Sequence, residues 1–150
     1  IESISIPNNV KEIGNYSFSN CNELKSIEFD DSNSNLTNLG IGCFSCTQIR
    51  IFQLPQKIQR YDFSSTNAKI INFNNFCSIS SISSFNSSTI EQISIPSNVV
   101  QIDSHAFHDC VNLREFVIID SKNSKLEKIS DYSFAHWQRT TFSIASKSSI

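Results

Sequence analysis

One phrase occurs twice in this chain, 89 residues apart. Segment 1–13 reads IESISIPNNVKEI and segment 90–102 reads IEQISIPSNVVQI, so the apolar residues and the proline return at the same offsets. Each copy continues to a Phe and a Cys at matched positions, Phe18 and Cys21 in the first, Phe107 and Cys110 in the second. Such a repeat indicates stacked equivalent units, which expose a long surface and rarely build one enclosed catalytic pocket.

The middle apolar residue of the phrase recurs at intervals of about 23 residues along the whole chain. All but one of these recurrences begin an apolar-polar-apolar triplet, the alternation typical of a β-strand; Val117 stands in the middle of the exception. We therefore predict seven short strands, one per repeat, that stack as a parallel sheet. Their anchors are Ile4, Ile27, Phe52, Ile71, Ile93, Phe116 and Phe142. The 150 residues are predicted to form a single solenoid of about six and a half repeats, 1–23, 24–48, 49–67, 68–89, 90–112, 113–138 and a partial 139–150.

A corner follows each predicted strand. Pro7, Pro55 and Pro96 all stand there, because proline lacks an N–H and its fixed φ turns the chain out of the strand ladder. Longer polar turns, 30–36 and 120–126, replace the corner in repeats two and six. A second apolar pair comes next, as in Val10-x-x-Ile13. We expect the least regular coil between residues 61 and 88, where the fourth repeat lacks proline.

One Phe per repeat then occupies a fixed place. This spacing predicts a column of offset or edge-to-face aromatic rings along the solenoid axis, which would contribute much of the hydrophobic stabilisation. Tyr16, His105 and Tyr132 come two residues before the Phe and are expected on the outer surface. The six column members are Phe18, Phe44, Phe63, Phe85, Phe107 and Phe134.

Composition narrows the function. The chain is 39% hydrophobic and 17% charged, has a net charge of −2, and contains no long run of Lys or Arg. Electrostatic capture of nucleic acid or of an acidic membrane is therefore not expected. No apolar stretch approaches the ~18 residues of a membrane helix, and no signal-peptide pattern is present. Because the chain begins without Met and already in phase, we interpret it as a fragment of a longer repeat array.

The five cysteines and one His-rich segment are the candidates for reactive chemistry. Cys21, Cys46 and Cys110 follow a Phe by two or three residues, which is typical of small buried packing residues. Cys43 and Cys46 form a CxxC pair, for which a disulfide and a metal site are the alternatives to core packing. The segment 105–110, HAFHDC, holds the residue types of a Cys-His-Asp site or of a His metal site, but the repeat register directs Cys110 inward and its neighbours outward.

The chain resembles the BspA-like leucine-rich repeats, which occur in surface proteins of mucosal bacteria and of protozoan parasites such as trichomonads. Segment 4–24, ISIPNNVKEIGNYSFSNCNEL, matches that family's unit almost position by position, and the resemblance covers essentially the whole chain. It implies a right-handed leucine-rich-repeat solenoid dominated by β-structure, with one short strand per repeat in a parallel concave sheet and short helical or irregular turns on the convex side. It also implies a non-enzymatic protein used for adhesion or host-protein binding, without a cofactor or metal, at the cell surface or secreted.

Any specificity must lie in the strand positions that point away from the core. Most of these are small and polar, whereas Ile51, Ile70 and Val117 are aliphatic and could anchor a protein partner. Covering of irregular coils or contact with a second copy is the alternative interpretation. The candidate ligand-binding residues are Glu28, Ile51, Gln53, Ile70, Asn72, Gln92, Glu115 and Val117.

Three N-glycosylation sequons, at Asn15, Asn35 and Asn86, fall in turns and favour an extracellular location. Three hypotheses follow for the function. The first is a surface-displayed module that recognises a host or matrix protein through the concave face. The second is an array that self-associates through exposed apolar ends, residues 1–6 and 142–150. The third is an intracellular scaffold, which unpaired thiols would favour.

Overall fold

A computed structural model of the chain describes residues 1–30, 33–86, 88–137 and the backbone of 144–147. Its strands fall into two ladders, and all paired strands are parallel. The first ladder contains the predicted strands, β1 (Ser3–Ile6), β3 (Ser26–Phe29), β5 (Ile51–Leu54), β6 (Ile70–Phe73), β8 (Gln92–Ile95), β10 (Glu115–Ile119) and β12 (Ile144–Lys147). The second contains two-residue strands, β2 (Glu12–Ile13), β4 (Asn38–Leu39), β7 (Ser81–Ile82), β9 (Gln101–Ile102) and β11 (Lys128–Ile129).

The predicted strand anchors are opposite one another in the first ladder. Ile4 pairs with Ile27, and Ile71 pairs with both Phe52 and Ile93. The prediction of Phe142 as the seventh anchor is wrong, because the residue that pairs with Phe116 is Ile144. Phe142 itself lies outside the described residues. A shift of two residues leaves the inward and outward faces of a strand unchanged, so the alternation alone could not distinguish the two registers.

The first ladder is not one continuous sheet, as the sequence had suggested. It divides into a two-stranded sheet, β1 and β3, and a five-stranded sheet in the order β12-β10-β8-β6-β5. Phe29 and Ile51 bound this interruption. The interruption therefore precedes residues 61–88, where the least regular coil was expected. Strands β6 and β7 form within that range.

The three proline corners are four-residue turns with the proline in first place. The carbonyl of Pro7 accepts a hydrogen bond from Val10 N at 3.1 Å, and Pro55 and Pro96 do the same three residues on. Asn74 takes that place in the proline-free repeat, where its carbonyl accepts from Cys77 N at 2.9 Å. Within the described ranges the one helical segment is a 3-10 turn, Ser121–Asn123, in the longer corner of repeat six.

The Phe column is present, and its rings are mostly parallel. The centroids of Phe63 and Phe85 are 5.7 Å apart, those of Phe85 and Phe107 are 5.2 Å apart, and the interplanar angles are 6° and 8°. Between Phe44 and Phe63 the ring of Phe52 intervenes, at 5.1 and 5.0 Å from its two neighbours. The aromatic core therefore stays continuous across the interruption in the sheet.

The turn that carries each Phe bonds to the next repeat. Phe18 N donates to the carbonyl of Cys43 at 2.9 Å, and Phe107 N donates to the carbonyl of Ser133 at 2.8 Å. Tyr16 and Tyr132, predicted on the outer surface, are exposed, and so is His105. These turns therefore form a third hydrogen-bonded side of the solenoid, separate from the two strand ladders. We call it the turn side.

Candidate binding face

The outward residues of the first ladder form two columns along the solenoid. Ile51 is 51% exposed and lies in register with the partly buried Ile70 on the adjacent strand. Gln53 and Asn72 form the next outward pair on the same two strands. An aliphatic pair flanked by uncharged polar side chains therefore lies at the centre of what we call the strand face, the outward residues of β3, β5, β6, β8 and β10.

The other candidates are less uniform. Glu28 is exposed on β3, and Gln92 and Glu115 are partly buried in register with each other. The prediction that Val117 is an exposed contact is wrong, because Val117 is completely buried. It pairs with Ser94, which is also buried and whose hydroxyl has no hydrogen-bond partner among the described residues. The alternation predicted that both residues point outward to solvent, but it carries no information on their burial.

Charged residues line the point where the strands of the first ladder begin. Glu91 lies between Lys69 and Arg114, at 3.0 and 3.3 Å, and Lys25 pairs with Glu2 at 3.1 Å. The hydrogen bond from Lys69, together with the charge of Arg114, holds the pKa of Glu91 below its usual range. These charges occupy equivalent places in successive repeats and border the strand face. Sequence reasoning missed them because it considered only the alternating positions within the strands.

A second concave surface lies beside the second ladder. It is a groove of about 520 Å³ whose lining residues come from repeats one to four. Its lining includes Glu12, Arg60 and Asp62, and Arg60 Nε donates to Asn38 Oδ1 at 3.1 Å. The groove was not predicted. Arg60 joins the ladder only by an isolated bridge to Asn38, which the periodicity does not indicate.

The cysteines divide differently from the prediction. Cys43, Cys77 and Cys110 are buried, whereas Cys21 and Cys46 are exposed, and none of the five is in a disulfide. Burial, assisted by the charge of Asp62, raises the pKa of Cys43 to about 12. The CxxC pair is thus one core residue and one surface residue.

The error at Cys46 is one of register. In repeats two to five the buried place is three residues after the Phe, and in repeat two Thr47 fills it, 1% exposed, with its hydroxyl donating to the Phe44 carbonyl at 2.9 Å. Cys21 has this place in repeat one but is exposed there, so the expected burial of Cys21 is also wrong. Thr66 does the same toward Phe63 in repeat three. A small hydrogen-bonding side chain, rather than a cysteine as such, satisfies this position.

In the segment 105–110, HAFHDC, the repeat register correctly predicted that Cys110 is directed inward. The Cys110 thiol lies in the core, donates to the Phe85 carbonyl at 2.9 Å, and has a pKa raised by burial. His108 and Asp109 are at the surface, where His136 of the next repeat joins them. A hydrogen bond from His136, with His108 nearby, lowers the pKa of Asp109. Among the described residues, these three form a cluster of potential metal ligands, and the sequence did not associate His136 with it.

The three sequon asparagines are exposed. The Asn15 Oδ1 atom accepts from Ile41 N at 2.9 Å, and that of Asn35 accepts from Lys57 Nζ at 2.7 Å. Their glycosylation remains a prediction. None of the helices in the described ranges has the length and apolar character needed to cross a bilayer.

The protein-family model of the BspA type leucine-rich repeat region matches residues 1–114 and 49–150 of this chain, with six copies of the repeat. A comparison with curated proteins gives no match. Among solved structures, a leucine-rich repeat protein from Eubacterium ventriosum is 19% identical with a TM-score of 0.64, over 79% of this chain and 32% of that one. One from Bacteroides ovatus is 18% identical with a TM-score of 0.48, over 86% and 45%. A leucine rich cell surface protein from Faecalibacterium prausnitzii is 16% identical with a TM-score of 0.34, over 91% and 61%. The chain thus spans about a third of the Eubacterium protein, whose likeness supports the shared fold.

Proposed function

The chain belongs to the BspA-type leucine-rich repeat family, and from that premise we propose that it is a non-enzymatic protein-binding module that recognises its ligand through the strand face. The ligand is a host surface or extracellular-matrix protein, and the module acts at the cell surface or after secretion. A stack of equivalent strands supports this function because it presents side chains at regular spacing over an extended surface.

The exposed Ile51, in register with Ile70, is the observation that carries the proposal. Isoleucine on a solvent-facing strand contributes little to the fold, and half of the Ile51 side chain remains accessible to a partner. Burial of one aliphatic side chain is worth about 1.5–3 kcal/mol, enough to make it a centre of binding energy. Gln53 and Asn72 provide neutral hydrogen-bonding groups beside it.

Charge defines the rim of the proposed ligand site. Glu28 and Glu115 place carboxylates on either side of the central pair along the solenoid, and Gln92 adds a further amide. The ligand that fits this face presents an apolar side chain to Ile51, surrounded by hydrogen-bond donors. Such a rim contributes mainly to specificity and association rate.

Binding to a panel of purified extracellular-matrix proteins, measured by biolayer interferometry, tests the proposal. Ile51→Asp and Ile70→Asp are expected to weaken binding at least tenfold, because a buried unpaired carboxylate costs more than the ~1.4 kcal/mol that corresponds to tenfold. Ile41→Asp is the matched control, since Ile41 is 55% exposed but lies outside the strand face. Equal effects of Ile51→Asp and Ile41→Asp would contradict the proposal, as would binding that none of the variants changes.

Location is a separate part of the proposal. Antibody staining of intact cells that express the full-length protein is expected to label their surface. Staining only after permeabilisation would instead favour the intracellular scaffold, with which five unpaired thiols are compatible.

End-to-end association is the second candidate function. It is supported by an apolar cavity of about 230 Å³ beside β1, lined by Ile1, Ile4, Phe18 and Leu24 among others. The opposite end, residues 142–150, lies outside the described residues except for the backbone of β12. Light scattering over a concentration series is expected to show growing mass if copies stack, and Ile4→Asp should prevent it. A constant monomer mass would exclude this candidate.

A further inference from the structure

All three histidines of the chain lie in one surface patch on the turn side. The ring centroid of His108 is 5.4 Å from that of His105 in the same repeat and 4.8 Å from that of His136 in the next. Residues 108 and 136 are 28 positions apart, so their proximity is produced by the stacking of repeats five and six. The sequence suggested a pair, His105 and His108, whereas the structure creates a group that joins two repeats.

Asp109 lies at the centre of this group. Its Oδ1 atom is 2.6 Å from Nδ1 of His136, and its Oδ2 atom is 3.0 Å from Nδ1 of His108. Each carboxylate oxygen therefore faces a different imidazole, and the Nδ1 atoms of both rings point toward the same carboxylate. One potential ligand atom from each of the three residues lies within 4.8 Å of the other two.

The backbone places these groups. Asp109 and His136 occupy the same position of successive repeats, two residues after the Phe, and both adopt left-handed conformations with φ of 59° and 62°. Asp109 N donates to the carbonyl of Ala135 at 3.1 Å, which fixes the two turns against each other. Because this bond is part of the ladder on the turn side, the carboxylate and the imidazole are aligned by the solenoid itself.

Two imidazole nitrogens and one carboxylate oxygen are the donor set that suits zinc and related transition-metal ions. Tetrahedral zinc with bonds of about 2.1 Å holds its ligand atoms roughly 3.4 Å apart, so modest side-chain rotation would bring these donors onto one ion. We propose that His108, Asp109 and His136 bind a divalent transition-metal ion of the Zn²⁺ class, with the remaining coordination position open to water or to a ligand from a partner. The ion would tie repeat five to repeat six. The inference does not depend on the proposed protein-binding function.

Titration of Zn²⁺ by isothermal calorimetry tests the site directly. The full chain carries Cys21→Ser and Cys46→Ser in this experiment, because two exposed thiols could bind zinc by themselves. One equivalent of Zn²⁺ is expected to bind, and the thermal midpoint is expected to rise with the metal concentration, since an ion that binds only the folded state stabilises it. Absence of saturable binding in this background would overturn the proposal.

His136→Asn and Asp109→Asn each remove a ligand, and asparagine tolerates the left-handed backbone at both positions. Each is expected to weaken Zn²⁺ binding by tenfold or more, the scale on which even outer-shell partners of a metal act. His105→Asn is the matched control, because His105 has a φ of 59° and belongs to the same patch but not to the ligand group. It should leave the affinity unchanged. Equal affinity for zinc in His136→Asn, Asp109→Asn and the control would contradict the assignment.

Discussion

The hydroxyl of Tyr61 bridges two repeats by donating to the Ser81 carbonyl at 3.4 Å and accepting from the Ser83 N–H at 3.4 Å. No β-pairing within the described ranges joins Arg60 to β7, so this side chain supplies contacts that backbone strands supply elsewhere in the second ladder. Burial raises the pKa of the phenol well above its usual value. The Tyr61 side chain thus joins the third repeat to the fourth at the place where pairing in the second ladder is interrupted.

Replacement of Tyr61 by Phe is expected to lower the free energy of unfolding by about 1–2 kcal/mol, because the partly buried Ser81 carbonyl and Ser83 N–H lose their shared partner. Equilibrium urea denaturation measures the change. Tyr132→Phe is the control, since Tyr132 is 67% exposed. If the two substitutions have equal effects, the bridge contributes nothing to stability.

The Phe column should dominate the stability of the core. Phe85→Ala is expected to cost about 3–5 kcal/mol, because it leaves a cavity between two stacked rings. Phe76→Ala is the control, because Phe76 is 75% exposed. Its free energy of unfolding is expected to change by no more than about 0.5 kcal/mol. Urea denaturation of both variants gives the comparison, and similar losses would contradict the central place of the column.

Thiol reactivity should separate the five cysteines into two groups. In the native protein at pH 8, a disulfide reagent is expected to modify Cys21 and Cys46 rapidly and to leave Cys43, Cys77 and Cys110 unreacted until the chain is denatured. Mass spectrometry of labelled peptides identifies the sites. Rapid labelling of Cys43 alongside Cys46 would show that the CxxC pair is not divided between core and surface.

Stability should decrease in alkaline solution. The thiol of Cys43 has a reference pKa of 9.0 and is raised to about 12 in the folded chain. Between these values the unfolded state releases a proton that the folded state retains, so the free energy of unfolding falls as the pH rises from about 9 to about 12. Denaturation across this range should show a smaller pH dependence for Cys43→Ala than for the natural chain. Identical slopes would show that Cys43 is not responsible.

Periodicity was sufficient to predict the features that depend on every repeat. The alternation around Ile4 and Ile93 predicted the strands, and the recurrent Phe predicted the ring column, because both follow from a core that must be buried in each unit. The proline corners were predicted as well. Asn74 shows that the same turn forms without proline.

The features that depend on neighbouring repeats could not be predicted from the sequence. The contact between Asp109 and His136 depends on how two turns stack. The alternation within one strand likewise carries no information on the burial of Val117. The interruption between β3 and β5, and the bridge made by Tyr61, likewise depend on contacts between units of unequal length. A single repeat carries none of this information.

Methyl NMR tests the central claim most directly. Isoleucine residues carry ¹³C-labelled δ1 methyl groups, and a ligand identified by interferometry is added in steps. We expect the signals of Ile51 and Ile70 to shift or broaden first, while those of Ile41 and Ile129, which are 55% and 53% exposed but lie outside the strand face, remain unchanged. A response at Ile41 or Ile129 without one at Ile51 and Ile70 would contradict the assignment of the strand face as the binding surface.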